Sequence, residues 1–298
     1  MSRIHDALKQ AEQDRVEHIP ATGPAAEDAG RARPLAAVDL PLSGLHGSGP
    51  MTLEGWIAGC PAATWRPDPH TVLFANARSP QLGTEEFRTL RTHLSQMREK
   101  LPLQTILITS ALPGEGKTFV AVNLAEAFVQ QRGRRVLLID CDLRLSRVHT
   151  LLGAVRSPGL SEFLQGDAEL SEIIQRGSPD NLFLIPGGAG PSNPMELVGN
   201  GRLKGLLHRL APLFDWIVLD SPPCVPLSDA SLLADLSDGV LIVVQAGKTP
   251  FDMAQKGSRQ FRDKRLLGVV LNQVSPQAAY SAYYYHAADD HHAAEGDR

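Results

Sequence analysis

The segment "QTILITSALPGEGKTFVAVNLAEAF" (residues 104–128) joins an apolar run to a helix-forming run through a glycine-rich loop. The loop follows the pattern G-x-x-x-x-G-K-[ST] with one departure, because Ala111 replaces the first glycine. Glycines let backbone N–H groups turn inward, a lysine contacts phosphates, a hydroxyl binds Mg²⁺, and the following helix N-terminus favours an anion. The strand–loop–helix order disfavours a chance glycine-rich turn. The segment therefore predicts a phosphate loop whose nucleotide-contacting residues are Pro113, Gly114, Glu115, Gly116, Lys117, Thr118 and Phe119.

Five further apolar runs have the length of strands, and helical stretches separate them. Near-continuous apolar strands are typical of a parallel sheet that is covered on both faces. Alternation of strands with helices indicates a doubly wound α/β fold. We therefore predict a three-layer α/β/α P-loop domain with a mostly parallel sheet over residues 81–275. Its later strands are predicted at residues 135–140, 181–186, 215–220, 239–245 and 266–273.

Three aspartates follow predicted strands, Asp140 and Asp142 after the second and Asp220 after the fourth. In an open α/β sheet ligands bind at the carboxyl ends of strands, so these side chains can converge on the phosphate loop. Mg²⁺ needs few protein oxygens besides water and phosphate, which leaves one acid free to accept a proton. A single aspartate could as well cap the next helix. Three beside a phosphate loop predict Mg²⁺-nucleotide chemistry.

The chain outside the predicted domain differs in composition. Residues 1–18 carry apolar residues at helical spacing and predict a short amphipathic helix, either a fraying terminus or a docking helix. Residues 19–80 are rich in Ala, Pro and Gly, which predicts a partly disordered linker, with residues 51–59 as a candidate hydrophobic docking patch. Residues 276–298 predict a flexible tail. All four tyrosines of the chain lie in this tail, at Tyr280, Tyr283, Tyr284 and Tyr285.

Bulk composition narrows the function classes. A formal net charge of −4 over 298 residues gives no reason to expect nucleic-acid binding. The three cysteines fit no metal or disulfide spacing, so a reducing cytosol is expected. No signal peptide is visible, and the apolar run at residues 239–247 is shorter than the ~20 residues of a bilayer span. We expect a soluble cytoplasmic protein that reaches the membrane only through a partner.

The sequence also predicts the N-terminal caps of two helices. "TEEFRTLRTHLSQMREK" (residues 84–100) places Phe87, Leu90, Leu94 and Met97 on one helical face, with Thr84 as the N-cap. In "TPFD" (residues 249–252), Thr249 is predicted to cap a helix whose first position is proline.

These motifs together resemble the bacterial tyrosine kinases of capsule and exopolysaccharide synthesis, P-loop proteins unrelated in fold to eukaryotic protein kinases. "SALPGEGKT", "LLIDCDLR" and "IVLDSPP" are similar to the family's Walker A, A′ and B motifs, and the C-terminal tyrosine cluster is a fourth match. "EEFRTLRT" is similar to its E-x-x-R-x-x-R oligomerisation motif through Glu85, Arg88 and Arg91. On spacing alone, a solvated helix face with an internal ion pair is the favoured interpretation of those three residues, and the resemblance reverses that preference.

The resemblance implies ATP and Mg²⁺ as cofactors and assigns roles by position. Lys117 would bind the phosphates, Thr118, Asp140 and Asp220 would hold the metal, and Asp142 would be the base for the tyrosine hydroxyl. Arg144 would assist at the phosphates and Asn272 would contact adenine. The tail tyrosines would be the phosphate acceptors, phosphorylated between subunits of a ring-like homo-oligomer with an octamer as the candidate form. A separate membrane polysaccharide co-polymerase would activate the protein, and a cognate phosphotyrosine phosphatase would reverse the reaction.

Two alternatives remain open. A ParA/MinD-type positioning ATPase shares the fold and similar aspartates, but such proteins carry a second lysine five positions before the main one. That position is Leu112 here. A non-catalytic adaptor is disfavoured because no expected lysine or carboxylate is missing.

Overall fold

The computed structural model of the chain describes residues 55, 57, 59–60, 62–75, 83–177 and 179–275. The predicted helix of residues 1–18, most of the predicted linker and the tyrosine-bearing tail of residues 276–298 lie outside the described residues.

Within these residues, seven strands form one sheet. They are β1 (Thr105–Ser110), β2 (Val136–Asp140), β3 (Gln175–Arg176), β4 (Leu182–Ile185), β5 (Trp216–Asp220), β6 (Gly239–Gln245) and β7 (Leu266–Asn272). Their order is β3-β4-β2-β5-β1-β6-β7, and all neighbours are parallel except β3, which pairs antiparallel with β4. The mostly parallel doubly wound sheet is therefore confirmed. The sequence missed β3 because two residues are too few to show a period.

The described residues also contain nine α-helices and one short 3₁₀ turn, Ala211–Leu213. No helix among them combines the length and apolar character that crossing a bilayer requires. The helices are α1 (Thr84–Lys100), α2 (Lys117–Val129), α3 (Val148–Leu152), α4 (Leu160–Gln165), α5 (Leu170–Ile173), α6 (Pro194–Gly199), α7 (Arg202–Leu210), α8 (Asp229–Ala234) and α9 (Phe251–Gln260).

The central strands are buried on both faces. Side chains alternate between the faces of a strand, and Ile106 and Ile108 of β1 belong to the main core cluster that includes the apolar residues of α2. Leu107, which points to the opposite face, is equally buried. In the main cluster, the rings of Phe128 and Trp216 stack with centroids 4.2 Å apart, which ties α2 to β5. The central strands are thus covered on both sides, as their continuous apolar runs predicted, whereas Val269 and Leu271 of the edge strand β7 are exposed.

Helix α1 has the predicted bounds, with Phe87 and Leu94 buried against the core. Its predicted cap is wrong. Gly83 occupies the N-cap position with a φ of 99°, and Thr84 is the first helical residue. The Thr84 hydroxyl is buried without a hydrogen-bond partner among the described residues. Glycine takes the cap because only it enters this left-handed conformation without strain.

Residues 62–75, here called the strap, correct the linker prediction. Trp65, Val72 and Leu73 of the strap are buried in the main core cluster. Asn123 of α2 fastens it: the amide oxygen accepts a hydrogen bond from Leu73 N at 2.8 Å, and the amide nitrogen donates to Thr71 O at 2.9 Å. The prediction failed here because aperiodic segments pack through individual anchors that composition does not reveal.

Candidate active site at the carboxyl edge of the sheet

The phosphate loop connects β1 to α2 as predicted. Gly114 and Gly116 have φ values of 85° and 93°, a left-handed backbone that favours glycine. At Gly116 a Cβ would lie 2.1 Å from the Asn272 side-chain nitrogen, so no other residue fits without displacing that amide. Helix α2 begins at Lys117, directly after this glycine. The loop therefore ends with the N-terminus of a helix, where an anion is stabilised.

Two side chains stabilise the phosphate loop by hydrogen bonds: Glu115, which belongs to the loop, and Asn272, which ends β7. The buried Glu115 carboxylate accepts a hydrogen bond from Leu112 N at 2.6 Å and another from the Thr249 hydroxyl. Asn272, the last residue of β7, donates from its amide to Glu115 O at 2.9 Å. Asn272 thus lies at the phosphate loop, and its predicted adenine contact stays a prediction.

Lys117 lies at the centre of the site. Its ammonium nitrogen is 2.8 Å from Asp142 Oδ2 and 3.8 Å from Asp220 Oδ1. Burial by itself lowers the pKa of Lys117, but the surrounding carboxylates more than offset this, so that the pKa is raised. Lys117 is therefore a fully charged cation at neutral pH, as phosphate binding requires.

Asp140, at the end of β2, is engaged by the loop that follows it. Oδ2 accepts hydrogen bonds from the Ser146 hydroxyl (2.7 Å), Arg147 N (3.0 Å) and Val148 N (3.1 Å). Its Oδ1 accepts one from Asp142 N at 3.2 Å. Burial, and then the negative charge of Asp220, raise the pKa of Asp140. The capping alternative is therefore realised for this residue, because its carboxylate accepts hydrogen bonds from the N–H groups of Arg147, the N-cap of α3, and Val148, its first residue.

Asp220, at the end of β5, lacks the set of backbone hydrogen bonds that Asp140 accepts. It is fully buried, and neither carboxylate oxygen accepts a well-aligned hydrogen bond from a described residue. Burial raises the pKa of Asp220, while the Lys117 ammonium and the nearby Thr118 hydroxyl act in the opposite direction. An unsatisfied buried carboxylate is costly unless a cation or another partner compensates for it. This donor set fits a divalent cation beside the phosphate loop.

Asp142 completes the cluster. Its Oδ1 accepts a hydrogen bond from Leu145 N at 3.1 Å, and its other oxygen contacts Lys117. The carboxylate is therefore oriented by the backbone of its own loop while facing the lysine that is predicted to bind phosphates.

Other predicted site residues lie elsewhere. Arg144 donates from Nε to Asp229 Oδ2 at 3.0 Å, an ion pair with the buried first residue of α8. The Phe119 ring packs edge-on against Phe87 of α1, with centroids 5.9 Å apart. Pro113 and Gly114 are exposed at the tip of the loop. The nucleotide contacts of these residues stay predictions.

The proposed oligomerisation residues divide into two groups. Glu85 and Arg88 form an ion pair on the exposed face of α1. Arg91 instead donates to Ala127 O at 3.0 Å, near the end of α2, where carbonyl groups lack partners within the helix. Their role between subunits stays a prediction.

Sequence reasoning missed Ser146, Asp229 and Thr249, which contact Asp140, Arg144 and Glu115 respectively. Thr249 was wrongly predicted as a helix cap. Helix α9 begins at Phe251, its N-cap is Pro250, and no side chain caps it. The available signal was a polar residue in the loop or the first helical turn after a strand, and such a signal does not name the partner.

Comparison with known proteins identifies the family. A family model described as an AAA domain matches residues 103–264. The tyrosine-protein kinase YwqD of Bacillus subtilis (strain 168) is 32% identical over 220 residues, which cover 73% of this chain and 92% of YwqD. The tyrosine-protein kinase wzc of Salmonella typhimurium is also 32% identical, over 72% of this chain. The chain spans only 30% of that longer relative.

Solved structures agree with this assignment. The kinase domain of Escherichia coli tyrosine kinase ETK matches with a TM-score of 0.65 and 30% identity, over 70% of this chain and 82% of that domain. The septum site-determining protein MinD from Pyrococcus horikoshii OT3, complexed with Mg-ADP, matches with a TM-score of 0.51 and 25% identity, over 60% of this chain and 76% of MinD. The MinD likeness is the weaker by both measures. This nucleotide-binding P-loop chain belongs to the bacterial tyrosine-protein kinase family.

Proposed function

We propose that the protein is an ATP-dependent tyrosine autokinase that regulates capsule or exopolysaccharide synthesis. It transfers the γ-phosphoryl group of ATP to tyrosine hydroxyls of its own C-terminal segment. The observation that carries the proposal is the Lys117–Asp142 pair at the phosphate loop, because it brings a phosphate-binding cation and a proton acceptor to one place. The acceptors are Tyr280, Tyr283, Tyr284 and Tyr285, which lie outside the described residues.

ATP binds with its phosphates at the N-terminus of α2. The loop N–H groups contact phosphate oxygens, and Lys117 turns from Asp142 towards the β- and γ-phosphates. The positive end of the helix dipole favours the same negative charge. Binding therefore exchanges the lysine's carboxylate partners for phosphate oxygens.

Mg²⁺ would be held by Thr118 and Asp220, with Asp140 in support, and would neutralise charge on the transferring phosphoryl group. The observation that fits this ion is that the two Asp220 oxygens accept no well-aligned hydrogen bond and lie near the Thr118 hydroxyl. Asp140 already accepts four hydrogen bonds, so it acts mainly by placing negative charge beside the site and fixing its loop.

Asp142 accepts the proton of the attacking phenol. Tyrosine is a poor nucleophile when protonated, since its pKa is about 10. When Lys117 engages phosphate, Oδ2 of Asp142 becomes free for the phenol O–H, while Leu145 N–H keeps the other oxygen in place. The phenol oxygen bonds to phosphorus, the bond to the β,γ-bridging oxygen breaks, and ADP leaves with that electron pair.

The charge of the phosphorylated tail would regulate assembly of the oligomer. Each phosphotyrosine adds roughly −1.5 to −2 charges to a tail that already carries aspartates and glutamate. We propose that the tail reaches the site of a neighbouring subunit in a closed oligomer, assembled through Glu85, Arg88 and Arg91. Phosphorylation weakens that docking and opens the oligomer. A separate membrane chain activates the cytoplasmic kinase at the inner membrane face, and a phosphatase resets it.

The test is a phosphorylation assay on the purified full-length protein. After incubation with Mg-ATP, phosphotyrosine is detected by antibody and located by mass spectrometry. Wild type should be modified within the tyrosine cluster, while Lys117→Met and a chain ending at Gln277 should stay unmodified. Robust ATP hydrolysis without tyrosine modification would contradict the kinase function and favour a MinD-like switch.

The oligomer is tested separately, by measuring mass in solution before and after dephosphorylation. The dephosphorylated protein should be the larger species, and replacing Arg88 with alanine should reduce its mass to that of smaller assemblies. An assembly state that is independent of phosphorylation would contradict this part of the proposal.

A further inference from the structure

The turn that joins β6 to α9 contacts the phosphate loop through Thr249. The Thr249 hydroxyl accepts a hydrogen bond from Gln245 N at 2.8 Å and donates one to the Glu115 carboxylate. The backbone of Thr249 donates in turn to Gln245 O at 3.1 Å, so the hydroxyl is held by a closed turn. A fixed donor thus reaches across the sheet edge to a residue 134 positions away in sequence.

Glu115 is the acidic residue of the phosphate loop. Its carboxylate lies within a loop that is predicted to surround the phosphates of ATP, and only 3% of the residue is exposed. One carboxylate oxygen accepts from Leu112 N at 2.6 Å, which closes the loop on itself, and the other accepts from Thr249. Both oxygens are therefore engaged, and the negative charge is fixed by two donors.

Loss of one donor has two consequences. The carboxylate becomes free to rotate within the loop, where it would repel a polyanion. The loop closure at Leu112 also weakens, so the N–H groups of the loop are less well ordered before the nucleotide binds. Both effects oppose phosphate binding.

We propose that Thr249 is a positioning residue for the phosphate loop, which it shapes for nucleotide binding by anchoring the Glu115 carboxylate. The inference rests on the proposed binding of Mg-ATP at this loop. Thr249 acts through the Glu115 carboxylate, so we expect it to affect nucleotide affinity and to leave the chemical step unchanged.

The experiment measures the Kd of Mg-ATP by fluorescence titration, and the rate of tyrosine phosphorylation at saturating ATP. Thr249→Val keeps the side-chain shape and removes the hydroxyl, while Thr249→Ser keeps the hydroxyl. Thr249→Ala replaces the valine variant if that one fails to fold. Ser258→Ala is the matched control, because this hydroxyl lies on α9 and, among the described residues, donates to Gln255 O at 2.9 Å within the same helix.

Thr249→Val should raise the Kd of Mg-ATP about tenfold, because a hydrogen bond to a charged group is lost. The saturated rate should stay near that of wild type, and Thr249→Ser and Ser258→Ala should bind as wild type does. Adding Glu115→Gln to Thr249→Val should recover affinity, because the unanchored side chain no longer carries charge. A merely structural role for Thr249 would not give this rescue.

Two results would overturn the inference while wild type binds Mg-ATP: an unchanged Kd in Thr249→Val, or a Kd in Thr249→Ser as weak as in the valine variant. If wild type itself binds no Mg-ATP, the proposed function fails and this inference fails with it.

Discussion

Replacing Lys117 with methionine should destabilise the nucleotide-free protein, and the loss should grow with pH. The variant leaves two buried carboxylates, Asp142 and Asp220, without their cation. At an effective dielectric constant of ~20, the Coulomb attraction of the Lys117 ammonium is about 6 kcal/mol to Asp142 at 2.8 Å and about 4 kcal/mol to Asp220 at 3.8 Å. Desolvation of three charges offsets most of this, and removing one partner of a buried pair typically costs about 3–5 kcal/mol. We expect the free energy of unfolding of Lys117→Met to be about 3 kcal/mol lower than that of wild type at pH 8.

The pH dependence has a definite sign. The pKa of Lys117 is raised, so the lysine stays protonated below about pH 10, and its own titration adds no pH dependence between pH 5 and 8. In the variant, Asp220 loses the cation that lowered its pKa, so a pKa already raised by burial rises further. An acid whose folded-state pKa exceeds its unfolded value destabilises the fold as pH rises above about 4. The difference between variant and wild type should therefore shrink towards pH 5.

Urea denaturation at pH 5, 6.5 and 8, without nucleotide and with EDTA, measures the free energy of unfolding. Lys204→Met is the control, since Lys204 is exposed on α7 and makes no ion pair among the described residues. A loss below about 0.5 kcal/mol at pH 8, or an equal loss at pH 5 and pH 8, would refute the electrostatic account of the site.

Three further predictions concern Asp142, the buried Glu126 and the packing of the strap. Asp142→Asn should lower the rate of tyrosine phosphorylation at saturating ATP about 10²–10⁴-fold, because the phenol proton loses its acceptor; an assay rate near that of wild type would exclude Asp142 as the base. Burial raises the pKa of Glu126 on α2 to about 8, so stability should fall as pH rises from about 4.5 to 8. Glu126→Gln should flatten that dependence and raise the free energy of unfolding at pH 8 on the order of 2 kcal/mol, as measured by denaturation; an unchanged slope would show that Glu126 is not responsible. Gly177→Ala should destabilise by about 1–3 kcal/mol, since its Cβ would lie 2.1 Å from the Trp65 ring of the strap. Gly205→Ala is the matched control, because a Cβ there meets nothing within 4 Å in helix α7, and it should be neutral or raise the thermal midpoint; equal effects at the two glycines would argue against strap packing.

The sequence alone determined the sheet and the position of the site. Apolar runs ended at the predicted residues of β1, β2 and β5 because strand formation and burial are local properties of such runs. The carboxyl ends of parallel strands meet at one edge, so Lys117, Asp142 and Asp220 could be expected to converge before any distance was known.

Tertiary structure decided which partner each polar group has. Thr249 could cap a helix or bind a distant carboxylate, and only the approach of β6 to the phosphate loop selected Glu115. Arg144 likewise pairs with Asp229, 85 positions away, because that buried carboxylate needs a cation. Trp65 and Leu73 are core residues because the strap packs against the core cluster that contains α2. Hydrogen bonds and packing depend on distances of a few ångströms, whereas sequence patterns specify only faces and edges.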